Sequence, residues 1–326
     1  MSVRGEGNRT WRSPTALHHY ARRMRNRQLL VVGEAIVEIM RPRPDLPLDE
    51  TSDFLGPYPS GAPAIFASVA ARQGTPTKLC ATVGRDPFGE ALLDRLRRDG
   101  VDTRGVKVVE TTATGVAFVS YKRNGSRRFV FHPGAASHLD EADLGEAPER
   151  AQWLHISGSS LAFGEDLAVA VMQAAERVRS AGGTIGFDPN VRSGAASPTM
   201  LQRLHRLASL ADFLFPSTGE LESLDLNSRP LLERGAIICT TLGRDGVDVA
   251  KTGSIRRVPA PEIEEVDPTG AGDAFAAGFT AATLGGADPM EAARVGCGVA
   301  AHNVKVFGPM GAETDETKSY PGPTSS

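Results

Sequence analysis

Cysteine is scarce in this chain, with only Cys80, Cys239 and Cys297 among 326 residues. That number excludes a disulfide framework, and two of the three lie in apolar stretches that read as buried strands, which fits a reducing, cytoplasmic setting. No Cys-x-x-Cys, His-x-x-x-His or mixed Cys/His cluster occurs, which excludes an ordinary structural zinc site. His132, His138 and His155 are scattered without ligand spacing and read as structural or pocket-lining residues. Long apolar runs are missing too: none approaches the roughly 20 residues that cross a bilayer. A strong charge of either sign is also absent. The formal net charge of -3 gives no general attraction to nucleic acid or to an anionic membrane, so any anionic ligand needs a local site. Finally, neither Gly-x-x-x-x-Gly-Lys-[Ser/Thr] nor a strand-linked Gly-x-Gly-x-x-Gly is present, which argues against a P-loop NTPase and a dinucleotide oxidoreductase.

What is present is an alternation of strands and helices. Leu29 to Met40 reads as a buried strand, and Pro42, Pro44 and Pro47 then break regular structure. A helix over Ala62 to Arg72, a strand over Thr77 to Val83 and an amphipathic helix over Phe88 to Asp99 follow. From Gly115 to His132 two alternating segments flank Asn124-Gly125, a favoured hairpin turn, and predict an antiparallel flap. Further strands are expected at Trp153 to Ser157, Thr184 to Phe187, Asp212 to Phe215 and Ala236 to Thr241. Helices are expected at Glu165 to Ala181, Pro198 to Leu210, Ala271 to Leu284 and Met290 to Val304. This rhythm predicts an α/β fold with a doubly wound, mostly parallel sheet flanked by helices. Residues 1–27 carry seven arginines against the single acid Glu6, with no apolar periodicity, and read as an extension without regular structure. A transit peptide is the alternative reading, and Met24 offers an alternative start.

The segment with the most chemical content is Asp267-Pro268-Thr269-Gly270-Ala271-Gly272-Asp273, followed by a helix of small residues. Its glycines let backbone come close to a ligand, and the first N–H groups of the helix converge on an anion. Asp273, at the mouth of that cradle, is placed to take a proton from an attacking hydroxyl while the amides stabilise charge on a phosphoryl group. The alternative is that Asp267 or Asp273 merely caps the helix. Arg192, after Asp188 and Asn190 at a strand's C-terminal end, lies where α/β folds bind ligands. Asn190 is a candidate for phosphate or for water near a metal. Asn303, late in the last helix, reads as an adenine contact or as a plain polar helix position.

With these motifs the chain resembles the ribokinase-like (PfkB-type) carbohydrate kinases over residues 28 to 312, with 313–326 as a flexible tail. The likeness extends to Gly33-Glu34 with Glu38, Ser60-Gly61-Ala62-Pro63-Ala64, Val83-Gly84-Arg85-Asp86-Pro87-Phe88-Gly89, Asp188-Pro189-Asn190-Val191-Arg192 and Thr241-Leu242-Gly243-Arg244-Asp245-Gly246, in the family's order. The resemblance implies ATP with Mg²⁺ as cofactors and admits a monovalent cation. It also implies Asp273 as base, Gly270, Ala271 and Gly272 as anion hole, and Thr241, Gly243 and Gly246 with Asn190, Arg192 and Asn303 on the nucleotide side. Glu38, Gly61, Ala62, Phe131, Arg192 and Asp273 are then the sugar contacts, and Glu220 an outer-shell partner of Mg²⁺. A small β lid is expected around 34–60 and 113–135, closing over the sugar. A homodimer through that lid would draw on Phe118, Tyr121, Phe129 and Phe131. No nucleic-acid or membrane partner is implied.

Departures from the family pattern are Ser60, Ile65, Glu38 and Ser217, the last standing where Asn-x-x-Glu is common. The stretch Gly56 to Phe66 looks most like the tagatose-kinase branch, so phosphorylation of a primary hydroxyl of a ketose is expected, with tagatose first and fructose next. The alternatives are a 2-keto-3-deoxygluconate kinase, a nucleoside kinase, and a non-catalytic sensor of sugar or nucleotide on the same scaffold.

Overall fold

The computed structural model describes residues 28–123, 127–191 and 196–311. The N-terminal extension, the Asn124-Gly125 turn, Arg192 and the C-terminal tail lie outside these residues. Strands β1 (Gln28–Val32), β4 (Thr77–Gly84), β5 (Asp102–Val109), β8 (Ala151–Ser157), β9 (Thr184–Asp188), β10 (Phe213–Leu214), β11 (Ile237–Thr241), β12 (Val247–Lys251) and β13 (Ser254–Val258) form one sheet. Its order is β13-β12-β11-β10-β9-β8-β1-β4-β5. Every pairing from β11 to β5 is parallel, and β12 and β13 extend the edge as an antiparallel hairpin. The chain runs outward from β1 to β4 and β5, then returns to the other side of β1 for β8 and β9. The C-terminal ends of β1 and β8 therefore flank the point where strand order reverses, the crevice in which open α/β sheets bind ligands.

Nine helices accompany these strands among the described residues: α1 (Ala62–Arg72), α2 (Pro87–Arg98), α3 (Ala147–Arg150), α4 (Glu165–Ser180), α5 (Pro198–Leu210), α6 (Glu220–Ser223), α7 (Ser228–Glu233), α8 (Ala271–Leu284) and α9 (Pro289–Asn303). The sheet separates two apolar cores. One is formed with α4 and α5 around Leu154, Ile156 and Phe187, and the other with α1, α2, α8 and α9 around Phe66, Trp153 and Phe279. Three of the longer helices start at a capping side chain. Asp86 accepts from the amides of Phe88 and Gly89, Ser197 caps α5 through Met200, and Asp288 caps α9.

The stretch from Leu29 to Met40 is two strands in two sheets. At Gly33 a Cβ would lie 2.3 Å from Pro63 Cγ and 2.4 Å from Ser160 Oγ, so the chain can pass only as glycine before turning outward. It continues as β2 (Ile36–Met40) in a second sheet with β3 (Leu55–Ser60), β6 (Gly115–Tyr121) and β7 (Arg127–His132), in the order β3-β2-β6-β7. Register puts Glu38 opposite both Tyr58 and Ala117, with Phe131 and Phe129 opposite Ala117 and Val119. Glu38, Tyr58, Tyr121, Phe129 and Phe131 therefore share the inner face, and Phe118 and Val130 the outer one. This corrects the expected aromatic dimer contact, since only Phe118 of its four members points outward.

His155 on β8 is fully buried, with its ring stacked on Phe66 at a centroid distance of 3.5 Å and both ring nitrogens without a hydrogen-bond partner. Burial pushes its pKa down from 6.5 to about 3. The folded state thus keeps the imidazole neutral while the unfolded chain protonates below pH 6.5, so stability falls as pH drops from 6.5 toward 3. His155→Phe should remove that loss, amounting to roughly 2–3 kcal/mol at pH 4.5. Urea unfolding at pH 7.5 and 4.5 checks this. An equal acid-induced loss in both proteins would contradict it.

Candidate active site

Gly270 begins α8 with φ 75°, and a Cβ there would lie 2.2 Å from the carbonyl oxygen of Pro309. No other residue fits between these two backbones in that conformation. The turn leaves the first amides of α8 directed outward, with Ala271 and Gly272 on a cavity wall and Asp273 buried in the first turn. Asp267 has a different role from Asp273. Its Oδ1 accepts from the Thr269 amide at 2.9 Å and the Thr269 hydroxyl at 2.5 Å, and its Oδ2 accepts from the Gly308 amide at 3.0 Å. It is a buried anchor for two loops.

Of the two readings of Asn303, the structural one has contacts to show: its side-chain amide donates to the carbonyls of Thr269 at 3.3 Å and Pro309 at 3.2 Å, so it braces the Thr269-Gly270 turn. The adjacent cavity, of about 410 Å³, is lined by Thr241, Gly243 and Gly246 on one side and by Ala271 and Gly272 on the other. Between them stand Phe275, Cys297, Ala300, Ala301 and Val304, an apolar slot with Glu262 and Glu265 also on its wall. The three loop residues expected on the nucleotide side are thus brought to the helix N-terminus. The apolar wall was missed, although its signal, small residues along one stripe of α9, is visible in the sequence.

Asp188 ends β9 and is buried near Glu220 and Asp273. Desolvation first, and then the negative charge of Glu220 and of Asp273, raises its pKa well above the usual 3.8. Glu220 is held firmly: Oε1 accepts from the Val191 amide at 2.8 Å, and Oε2 from the Ser217 amide at 2.8 Å and the Ser217 hydroxyl at 2.9 Å. Ser217 therefore keeps a task, orienting this carboxylate. Because three donors already occupy its oxygens, Glu220 suits a cation held through water. Among the described residues no group of three His, Cys, Asp or Glu side chains stands at metal-binding spacing. Asn190, at φ 42°, donates its amide to Asp188 Oδ1 at 3.0 Å and its side chain to Ser157 Oγ at 3.2 Å.

At the switch point Glu34 is fully buried. It accepts from the hydroxyls of Ser159 at 2.7 Å and Ser160 at 2.5 Å and from the Ala62 amide, with its pKa raised by burial. Gly61, at φ 100°, and Ala62 open α1 beside it. Above them lies the inner face of the small sheet, with Glu38 buried and Phe131 half-exposed, its ring 5.3 Å from that of Phe163. Glu34 and Ser159 are site residues that sequence reasoning did not single out. Gly33-Glu34 was visible, but its serine partners come from the turn after β8, more than a hundred residues away.

A family model described as the pfkB family carbohydrate kinase matches residues 26–315. The chain belongs to this family. The fructokinase of Klebsiella pneumoniae is 32% identical over 272 residues, covering 78% of this chain and 84% of that protein. Among solved structures, a provisionally assigned ribokinase II of Escherichia coli in complex with ATP and Mg²⁺ is 36% identical, with a TM-score of 0.81 over 88% of this chain and 96% of the other. The fructokinase of Vibrio cholerae bound to fructose, ADP and calcium is 25% identical, with a TM-score of 0.74 over 87% and 94% of the two chains.

In this PfkB kinase the raised pKa of Asp188 has a consequence for stability. The folded protein binds that proton more tightly than the unfolded chain, so the contribution is greatest below about pH 4 and is lost as pH rises through the folded pKa. Asp188→Asn retains the acceptor for Asn190 and should melt higher than the ligand-free parent, by about 2–4 °C more at pH 8 than at pH 5. Differential scanning fluorimetry measures the gap. A gap that does not change with pH would contradict the reading.

Proposed function

We propose that this phosphotransferase moves the γ-phosphoryl group of ATP, taken with Mg²⁺, to a primary hydroxyl of a free ketose, with fructose ahead of tagatose. The observation that carries this reading is the placement of Asp273 in the first turn of α8, directly after Ala271 and Gly272, which line the cavity of about 410 Å³. A carboxylate beside an anion cradle at a helix N-terminus supplies both parts that phosphoryl transfer asks of a protein. Asp273 accepts the proton of the attacking hydroxyl as the oxygen–phosphorus bond forms, and the amides of Gly270 to Gly272 receive the charge on the transferring oxygens. The nucleotide lies with its base in the slot of Phe275, Cys297, Ala300 and Val304 and its phosphates toward Gly272. Glu220 and Asp188 would hold the water shell of Mg²⁺ taken with ATP, which would supply neutralisation of phosphate charge, and a monovalent cation belongs to the same reading. Arg192 is retained as a contact to either ligand.

The four-stranded sheet is read as a lid over the sugar, excluding water from the reaction. Its outer face, with Phe118 and the exposed Val130, is the surface for a homodimer. Three buried free cysteines support a cytoplasmic setting. Among the described residues no helix is long and apolar enough to cross a membrane.

Fructose moves ahead of tagatose on the names and bound sugar of the relatives. The site itself argues against an acidic sugar. Glu34 and Glu38 form the floor and roof of the sugar region, and Arg123, on the hairpin arm, is paired with Asp45 at 2.9 Å. A substrate carboxylate between buried acids loses hydration and meets like charge.

Asp273→Asn should lower kcat by about 10²- to 10⁴-fold and leave nucleotide affinity within about threefold, the scale of general-base removal. Coupled ADP-release kinetics together with calorimetric nucleotide titration test this, and near-parental turnover would overturn the assignment. Across fructose, tagatose, ribose and 2-keto-3-deoxygluconate, kcat/KM should be highest for fructose and at least about a hundredfold lower for the acid, which is roughly 2.7 kcal/mol at the transition state. A preference for the acid would replace fructose by the deoxy sugar acid.

A further inference from the structure

Two side chains on the inner face of the small sheet reach the two loops that Asp267 joins, the one leading into α8 and the one after α9. The Tyr121 hydroxyl, at the end of β6, lies 2.7 Å from Thr269 Oγ1. The Thr269 hydroxyl has one proton, and its 2.5 Å contact with the Asp267 carboxylate uses it. Tyr121 is therefore the donor in its bond to Thr269. The other Asp267 oxygen takes the Gly308 amide, and there the second side chain makes contact. A Cβ on Gly308 would be 3.1 Å from the Tyr58 ring, and Phe307 meets that ring edge-on at 5.6 Å. The small sheet thus contacts both loops that Asp267 joins. Its contact through Tyr121 is directional, whereas the one through Tyr58 is apolar. Burial and the Asp267 charge raise the pKa of the phenol, so it remains a donor throughout the working pH range.

We infer that Tyr121 is a positioning residue for phosphoryl transfer: its bond to Thr269 ties the seated position of the small sheet to the backbone geometry of Gly270 to Gly272. Thr269 immediately precedes the αL residue Gly270, its carbonyl is held by Asn303 and its hydroxyl by Asp267. Rotation about Thr269 would swing the following amides away from a phosphoryl group. Of the groups that hold Thr269, only Tyr121 belongs to the sheet that covers the sugar. Sugar occupancy beneath that sheet is thereby communicated to the amides that stabilise the transferring group.

This inference rests on the kinase reading, so its test has an arm that does not need turnover. Tyr121→Phe keeps the ring and removes the donor, and Thr269→Ser keeps the bonded hydroxyl. In Tyr121→Phe, kcat should fall about tenfold with the sugar KM within about threefold, while Thr269→Ser stays close to the parent. In the ligand-free protein, hydrogen–deuterium exchange of the 269–273 amides should be about tenfold faster in Tyr121→Phe and parental in Thr269→Ser. Unchanged exchange in Tyr121→Phe overturns the latch whatever the kinetics, and faster exchange with parental kcat overturns its role in positioning. If the parent protein shows no sugar-dependent ADP release, the kinase reading fails, and the exchange result still decides whether the latch exists.

Discussion

Asp267 accepts three hydrogen bonds in a buried setting, two from Thr269 and one from Gly308, and thereby joins loops separated by 41 residues. Bonds to an ionised acceptor contribute about 1.5–3 kcal/mol each, and a buried carboxylate without them would be costly. With Asp267 in place, Pro309 lies against Gly270, Asn303 bridges Thr269 and Pro309, and the end of the described chain is drawn back over α1 and α2. There the guanidiniums of Arg72 and Arg95 donate to the carbonyl of Met310. The anion cradle is thus shaped from outside its own helix. The left-handed turn at Gly270 is imposed by packing against a distant loop, and the amides that follow keep their direction because that loop is pinned.

The second organising feature is a concentration of acids at the C-terminal ends of β1 and β9. Glu34, Asp188, Glu220 and Asp273 are all buried, and the partners recorded for Glu34 and Glu220 are hydroxyls and amides. Such a group is stable only with protons or bound cations to balance it. A nucleotide–metal complex and a neutral polyol suit this end of the sheet, whereas a second anion on the sugar side does not. The main sheet's order places these acids at the point where its strands diverge, so fold and chemistry share one origin.

Much of this was legible in the sequence wherever cause and effect are close along the chain. The bounds of α1, α5 and α8 follow from Gly61-Ala62-Pro63, from the Ser197-Pro198 cap and from Gly270 and Gly285, all local signals. The turn from Asp267 to Asp273 into α8 was legible for the same reason, being seven consecutive residues. Features set by distant partners were not. The break at Gly33 is dictated by Pro63 and Ser160, the structural role of Asn303 by Pro309, and the pairing of Glu34 by serines after β8. Strands β5 and β13, the two edges of the main sheet, were missed because charged, exposed positions such as Arg104 and Arg256 break the apolar pattern that identifies a strand, and β12 because its Val247-Asp248-Val249 alternation is confined to five residues.

On the proposed reading, Asp273 and the amides beside it serve the transfer of a phosphoryl group to a sugar. Phosphorus NMR of the protein with ATP, Mg²⁺ and fructose observes that transfer without a coupling enzyme. A sugar monophosphate ester resonance that grows in step with ADP is the expected result. Formation of ADP with inorganic phosphate alone, or no consumption of ATP while the sugar binds, would contradict it.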